Sequence, residues 1–260
     1  MKLEKVLFFY GSGANGKSVL LNIIRALIGE QQCCEFSLES ITKEQFTRAQ
    51  LGNYIFNLCT EISGRLKTDI FKTLASREPL SARHPYGRPF QVKDYATSIF
   101  AMNELPKDVE QTNAFYRRFL IIPFDVRIPD EEQDHNLASK IINNEMSGVL
   151  NYVIKGAKSL LKKWQFDIPL AIQNVVEKFR QESDSVLMFI EENRLRPSST
   201  PWKSLPKAHT SYRKQCCVEN SHPIAKRTFA KRLRALGFTV KAHGKAKVTT
   251  IFAEQMNDAE

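Results

Sequence analysis

Val6-Leu7-Phe8-Phe9-Tyr10-Gly11-Ser12-Gly13-Ala14-Asn15-Gly16-Lys17-Ser18 is the stretch whose reading decides the fold. Five apolar or aromatic residues in succession predict a buried strand. Val19, Leu20, Leu21, Ile23, Ile24 and Leu27, closed by Gly29, predict an amphipathic helix. Between the two, Gly11 to Ser18 fits Gly-x-x-x-x-Gly-Lys-Ser/Thr without a gap, in the required order of strand, loop and helix. Gly11, Gly13 and Gly16 let the backbone turn its N–H groups inward, so the loop of Gly11, Ser12, Gly13, Ala14, Asn15, Gly16, Lys17 and Ser18 is expected to cradle the phosphates of a nucleoside triphosphate. Lys17 is expected to reach the β- and γ-phosphates, and Ser18 to ligate Mg²⁺.

The 260 residues, 42% hydrophobic and 25% charged, leave room for one domain of ordinary size and a smaller one. No apolar run approaches the roughly 20 residues of a membrane helix. The N-terminus lacks the basic, apolar and small-residue succession of a signal peptide, so a cytoplasmic protein is expected. The five cysteines include the adjacent pairs Cys33-Cys34 and Cys216-Cys217, which fit neither a disulfide framework nor Cys-x-x-Cys zinc spacing and read as reduced thiols, although His209 and His222 flank the second pair. The net charge of +10 is concentrated in residues 201–250, where twelve Lys and Arg face one acid, Glu219. Such a segment argues for a polyanion-binding module attached to the nucleotide-binding one, against the plainer reading of a solvated basic face.

Along the chain, a helix is expected near Thr42–Leu51, and then a second buried strand, Tyr54 to Glu61. A strand ending in a carboxylate behind a phosphate loop makes Glu61 the candidate to polarise an attacking water and help hold Mg²⁺. Residues 65–93 turn basic and are interrupted by Pro85, Gly87 and Pro89, which predicts a projecting loop or hairpin carrying Arg83, His84 and Arg88. A third strand, Ala96 to Ala101, ends near Asn103, which could orient water or touch the γ-phosphate. The Arg117-Arg118 pair leads into a fourth strand, Phe119 to Phe124.

This order of elements, with Ser81 to Phe90, Asn103-Glu104-Leu105-Pro106 and Ile122-Pro123-Phe124, resembles the superfamily-3 helicase module of phage and plasmid primase-helicases over about residues 5–165. The resemblance implies an AAA+ ATPase of the P-loop class, using ATP and Mg²⁺, that assembles into a ring, usually a hexamer, and translocates on DNA. It matches Lys17 and Ser18 to the phosphate loop, Glu61 to the second motif, Asn103 to the sensor, and Arg118 or Arg117 to an arginine finger inserted into a neighbour's site. In a ring motor the Arg83-His84 segment would face the channel and grip the backbone of one strand, the expected partner being single-stranded or forked DNA. The family often has two acids at the second motif, whereas Thr60 precedes Glu61 here.

Residues 137–164 have apolar positions at three- and four-residue spacings, expected as helical packing against the core or as a lid. Pro197-Ser198-Ser199-Thr200-Pro201 reads as a loop. Beyond Asp184, helices at Val186–Asn193, Lys207–Val218 and Ile224–Leu236 precede two short strands, a winged-helix order. The third helix would bury Phe229, Leu233 and Leu236 and present Lys226, Arg227, Lys231, Arg232 and Arg234 to DNA, with Lys245 in the wing. Comparable domains follow the ATPase in the family resembled.

The expected architecture is therefore an α/β P-loop NTPase domain of AAA+ type with a mostly parallel sheet (1–168), a helical connector (169–182), a winged-helix domain (183–253) and a tail (254–260). The expected function is that of an ATP-dependent DNA helicase or translocase. An AAA+ module whose nucleotide only controls assembly on DNA, or a prophage remnant, are the alternatives. With Met1 close to the first strand, the chain is expected to lack an upstream collar and any primase site.

Overall fold

The apolar run Val6–Tyr10 forms β1, and its two faces enter two different cores because helices cover the sheet on both sides. The computed structural model describes residues 3–61, 66–106, 109–218, 223–244 and 247–256, the Glu61 side chain excepted. The chain divides into two compact units, Met1–Phe179 and Arg180–Glu260.

In the first unit β1 is followed by α1 (Lys17–Ile28), β2 (Cys33–Cys34), α2 (Leu38–Lys43), α3 (Gln45–Leu51), β3 (Phe56–Glu61), α4 (Thr68–Ala75), β4 (Leu80–Arg83), β5 (Pro89–Val92), β6 (Thr97–Met102), α5 (Asn113–Tyr116), β7 (Phe119–Pro123), α6 (Leu137–Asn144), α7 (Met146–Lys163) and α8 (Leu170–Glu182). Five strands make one parallel sheet in the order β2-β3-β6-β1-β7. Val6 and Phe8 point into a core with Phe71, Phe100, Phe115 and Phe119, and the Phe8 ring stacks on Phe119 at 4.9 Å. Phe9 points the other way, toward Leu21 of α1, Leu58 and Ile99. Burying side chains of this size contributes about 2 kcal/mol each, so β1 is fixed by packing on both faces. At the β2 edge the buried Asn57 amide donates to the Phe36 carbonyl at 2.9 Å and accepts from the Phe36 N–H at 2.6 Å, replacing ladder bonds that a two-residue strand lacks.

The basic segment expected to be irregular contains α4, because Phe71 and Leu74 face the core before the prolines begin. Its remainder is a hairpin, β4 against β5. Residues 137–164 are helical but broken at Glu145, and they depart from the expected core packing. No residue of α6 or α7 is buried, and Leu150, Val153, Ile154 and Leu161 remain exposed along α7.

The second unit contains α9 (Ser185–Glu192), β8 (Leu195–Ser204), α10 (Leu205–Val218), α11 (Lys226–Ala235), β9 (Thr239–His243) and β10 (Val248–Gln255). Its sheet is antiparallel, β8-β10-β9. The Pro197–Pro201 run, expected as a loop, lies within β8. It is an edge strand with register shifts between Ile251 and Phe252 and between Phe252 and Ala253, where missing proline N–H groups leave no interior ladder broken. Phe189, Tyr212 and Phe229 fill the core between helices and sheet, the last two rings stacked at 4.7 Å. Burial pushes the Tyr212 phenol up to about 12, and its oxygen lies 2.7 Å from Ser185 Oγ while accepting from the Ile224 N–H.

Asp184, 2% exposed, holds the helices of this unit together. One carboxylate oxygen caps α9 by accepting from the Val186 and Leu187 N–H groups, and the other accepts from Arg232 Nε of α11 at 2.7 Å. Removing one partner leaves the other's charge partly buried and unpaired. Asp184→Ala is expected to destabilise the second unit by about 3 kcal/mol, read as a lower urea midpoint of its unfolding transition. An unchanged midpoint would show that the pair carries no such role.

Candidate functional site

The strand register brings four strand ends level. Tyr10 pairs with both Met102 and Pro123, and Glu61 pairs with Met102, so the residues that follow share the carboxyl edge of the sheet. In open parallel sheets this edge, where neighbouring connections diverge, is where ligands sit. The Gly11 N–H donates to the Met102 carbonyl at 3.2 Å, and the Phe124 N–H to the Tyr10 carbonyl at 2.7 Å.

From there the loop takes backbone conformations that its glycines permit: φ is +107° at Gly13 and +84° at Gly16. Ala14 also has φ +49°, and its carbonyl accepts from the Ile128 N–H at 2.8 Å. Gly11 is required for a different reason. A Cβ there would lie 2.3 Å from the Phe124 carbonyl oxygen, so the loop can pass this close to β7 only without a side chain. Asn15 braces the same contact, its Nδ2 donating to Phe124 O at 2.8 Å. No side chain caps α1 at Gly16, which leaves the first N–H groups of the helix open toward the cavity.

Lys17 is 5% exposed, and its ammonium donates to the Gly11 carbonyl at 2.7 Å and to Asn15 Oδ1 at 2.9 Å. Both acceptors are neutral, and no carboxylate pairs with Lys17 among the described residues. Burial accordingly lowers its pKa from the ordinary lysine value. A buried cation that no described carboxylate pairs with, at a helix N-terminus, favours an anion on electrostatic grounds.

A cavity of about 750 Å³ opens over the loop, lined by Gly13 to Ser18, by Thr60 and Asn103 at the ends of β3 and β6, and on the far wall by Ile128, the acidic Glu132 and Asp134, and His135. Asn103 and Ser18 thus share one cavity with Lys17. Ser12 is exposed and is not part of the lining. The Glu61 backbone ends β3 next to Met102, and its side chain lies outside the described residues. The wall from Ile128 to Leu137 was not read from the sequence, because it reaches the loop only once β7 pairs with β1 and the Ile128 N–H donates to the Ala14 carbonyl.

Arg117 and Arg118 lie at the opposite edge of the sheet, where the Val6 N–H donates to the Arg118 carbonyl at 2.8 Å. Five strand residues, about 16 Å, separate that edge from the loop, more than an arginine spans. Arg118 is half-buried, with NH2 donating to Ser76 Oγ at 3.1 Å and NH1 to the Ala114 carbonyl. The Arg117 side chain is 62% exposed and pairs with Glu4 at 3.0 Å. Neither reaches the glycine loop of its own chain.

Arg83, His84 and Arg88 are exposed at the end of the β4–β5 hairpin. Lys226, Arg227 and Lys231 are exposed on α11, whereas Arg232 is turned onto Asp184, away from the group expected to meet DNA. Lys245 and His222 lie outside the described residues. Among the described residues no three His, Cys, Asp or Glu side chains group as a metal site, and no helix is long and apolar enough to cross a membrane.

A protein family of unknown function (DUF5906) matches residues 9–118, the span from β1 to the arginine pair. A putative helicase, 121R, of Invertebrate iridescent virus 3 is 24% identical over 237 residues, covering 76% of this chain and 24% of its own length. The chain therefore spans about a quarter of that relative. Among solved structures, the apo A form of the NrS-1 C-terminal region aligns over 96% of this chain and 66% of its own, at 17% identity and TM-score 0.46. A JCV helicase with a bound substituted acetamide aligns over 73% of this chain and 55% of its own, at 13% identity and TM-score 0.35. The chain is distantly similar to helicases.

Gly11→Ala tests the close approach of loop and β7. Overpacking against a backbone carbonyl costs about 2 kcal/mol, which is expected to lower the melting temperature by about 5 °C and displace Lys17. A variant that melts like the native chain would show that the loop sits further from β7.

Proposed function

We propose that the first unit is an AAA+ ATPase of superfamily-3 type that couples ATP hydrolysis to movement on DNA, and that the second is a winged-helix DNA-binding domain. The observation that carries this reading is the buried Lys17 ammonium, held by neutral oxygens beneath an uncapped helix N-terminus, in a cavity that also receives Asn103. The name of the viral relative supports the helicase reading.

In this reading the loop N–H groups and Lys17 hold the triphosphate, and Asn103 positions water against its terminal phosphate. The Ser18 hydroxyl, with the Glu61 carboxylate, supplies the hard oxygen donors suited to Mg²⁺, and Ser18 lines the cavity. Bound there, Mg²⁺ neutralises charge on the phosphate oxygens. Glu61 takes the proton of the attacking water. Thr60 stands where the family often has a second acid, so one carboxylate serves both roles.

The far-edge position of Arg117 and Arg118 supports action in trans within a ring, a hexamer by resemblance. Arg117, the more exposed of the two, is the better placed to leave its ion pair for a neighbour's phosphate. Arg83, His84 and Arg88 meet DNA in the channel, and Lys226, Arg227, Lys231 and Lys245 hold it outside. With Lys17 and Ser18 fixed by the fold, only assembly completes the site.

Lys17→Ala is expected to abolish ATP turnover and weaken binding of an ATP analogue in calorimetry, while Glu61→Gln binds and does not turn over. Turnover by Glu61→Gln at the native rate would remove that residue from the mechanism. A finger acting in trans contributes roughly 10³- to 10⁵-fold in rate. Arg117→Ala and Arg118→Ala are each to be mixed with Lys17→Ala protein, and partial recovery of ATPase identifies the finger. A flat mixing curve for both would argue against a shared site.

A further inference from the structure

The β4–β5 hairpin is firmly rooted. Leu80, Ala82 and Val92 are buried in the core, and the buried Arg48 guanidinium donates from Nε to the Ser81 carbonyl at 2.7 Å and from NH1 to the Ile41 carbonyl at 2.9 Å. The turn His84-Pro85-Tyr86-Gly87 closes with the Gly87 N–H donating to the His84 carbonyl at 2.9 Å, and Arg83 Nε donates to the Gly87 carbonyl at 2.9 Å. Its tip is therefore rigid, although it projects.

Tyr86 occupies that tip in an unusual way. Proline at the second turn position and a positive φ at the third is the arrangement in which the third residue is normally glycine or asparagine. Here the third residue is Tyr86, at φ +58°, with glycine one position too late to relieve it. A side chain in this conformation costs about 1 kcal/mol. No packing of its ring among the described residues offsets that cost, because Tyr86 is 104% exposed, as open as in an extended peptide. Behind it, the His84 and Phe90 rings stack at 4.9 Å, and Arg83 and Arg88 are exposed beside them. From Pro79 to Lys93 there is no acidic residue.

A free aromatic ring held rigidly in a cationic surround has the two elements that single strands of nucleic acid require: a stacking surface for a base and positive charge for the backbone. Paired bases present only edges and phosphates, and the ring has no use there. We infer that Tyr86 stacks on an unpaired base, and that it makes the hairpin selective for single-stranded over duplex nucleic acid. This rests on the proposed contact of the hairpin with one DNA strand and adds to it a base-stacking residue that charge patterning does not reveal.

The test uses the full chain with a labelled 20-nucleotide oligothymidylate, the same oligomer carrying abasic sites throughout, and a 20-base-pair duplex, each followed by fluorescence anisotropy across a salt series. Tyr86→Ala is expected to weaken oligothymidylate binding roughly 5- to 100-fold, the range for losing one stacked base. The salt slope should stay unchanged, because no charge is removed. Tyr86→Phe should bind like the native chain, native binding to the abasic oligomer should fall to the Tyr86→Ala level, and duplex affinity should not change. Native affinity in Tyr86→Ala, or a Tyr86→Phe variant as weak as Tyr86→Ala, overturns the stacking role. Arg83→Ala with Arg88→Ala separates the two layers. If this pair weakens oligothymidylate binding and Tyr86→Ala does not, stacking alone fails, and if neither changes binding the hairpin contact itself is wrong.

Discussion

A lysine ammonium buried against two neutral oxygens is the constraint on which the rest of the first unit depends. Lys17 donates to the Gly11 carbonyl and to Asn15 Oδ1, and among the described residues no carboxylate pairs with it, so its burial is offset only in part. The surroundings must hold it there. Asn15 is fixed by Phe124, Ala14 by Ile128, and Gly11 fits beneath Phe124 because it has no side chain. Phe124 and Ile128 are in turn positioned by β7, whose place beside β1 is set by the Phe8–Phe119 stack on one face and the Phe9 core on the other. Packing on both faces of one strand is thus converted into the position of one charge.

The same sheet separates its chemistry by edge. The loop, Asn103 and the end of β3 collect at the carboxyl edge, and Arg117 and Arg118 collect at the other. Arg117 and Arg118 precede β7 and the glycine loop follows β1, so the length of the strands lies between them within the chain.

Much of this was legible in the sequence. Val6–Tyr10 is a strand because five apolar residues cannot face water, and Gly11–Ser18 is a loop opening a helix because its glycines and lysine fit no other local structure. Phe229 and Leu233 of α11 are buried and its lysines exposed, as a helical period dictates. The misses have physical causes. Apolar spacing in α7 signals a face that seeks a partner and not where that partner is, and the stripe remains exposed. Pro197 and Pro201 are strand breakers only where a ladder needs their N–H, and β8 lies at an edge. Arg232 looks like its exposed neighbours until Asp184, 48 positions earlier, is brought beside it.

By itself, then, the sequence determined which residues make the glycine loop between β1 and α1, that strands and helices alternate behind it, and that a basic helical module follows, since each of these depends on residues near one another in the chain. Only the tertiary structure decided that Lys17 is buried against neutral oxygens, that Ile128 to Leu137 complete the cavity, that the two arginines lie at the other edge of the sheet, and that the Tyr86 ring stands exposed at a hydrogen-bonded turn. These depend on strand register and on which edge of a sheet a residue reaches, and register is fixed by side chains far apart in sequence that pack in one core.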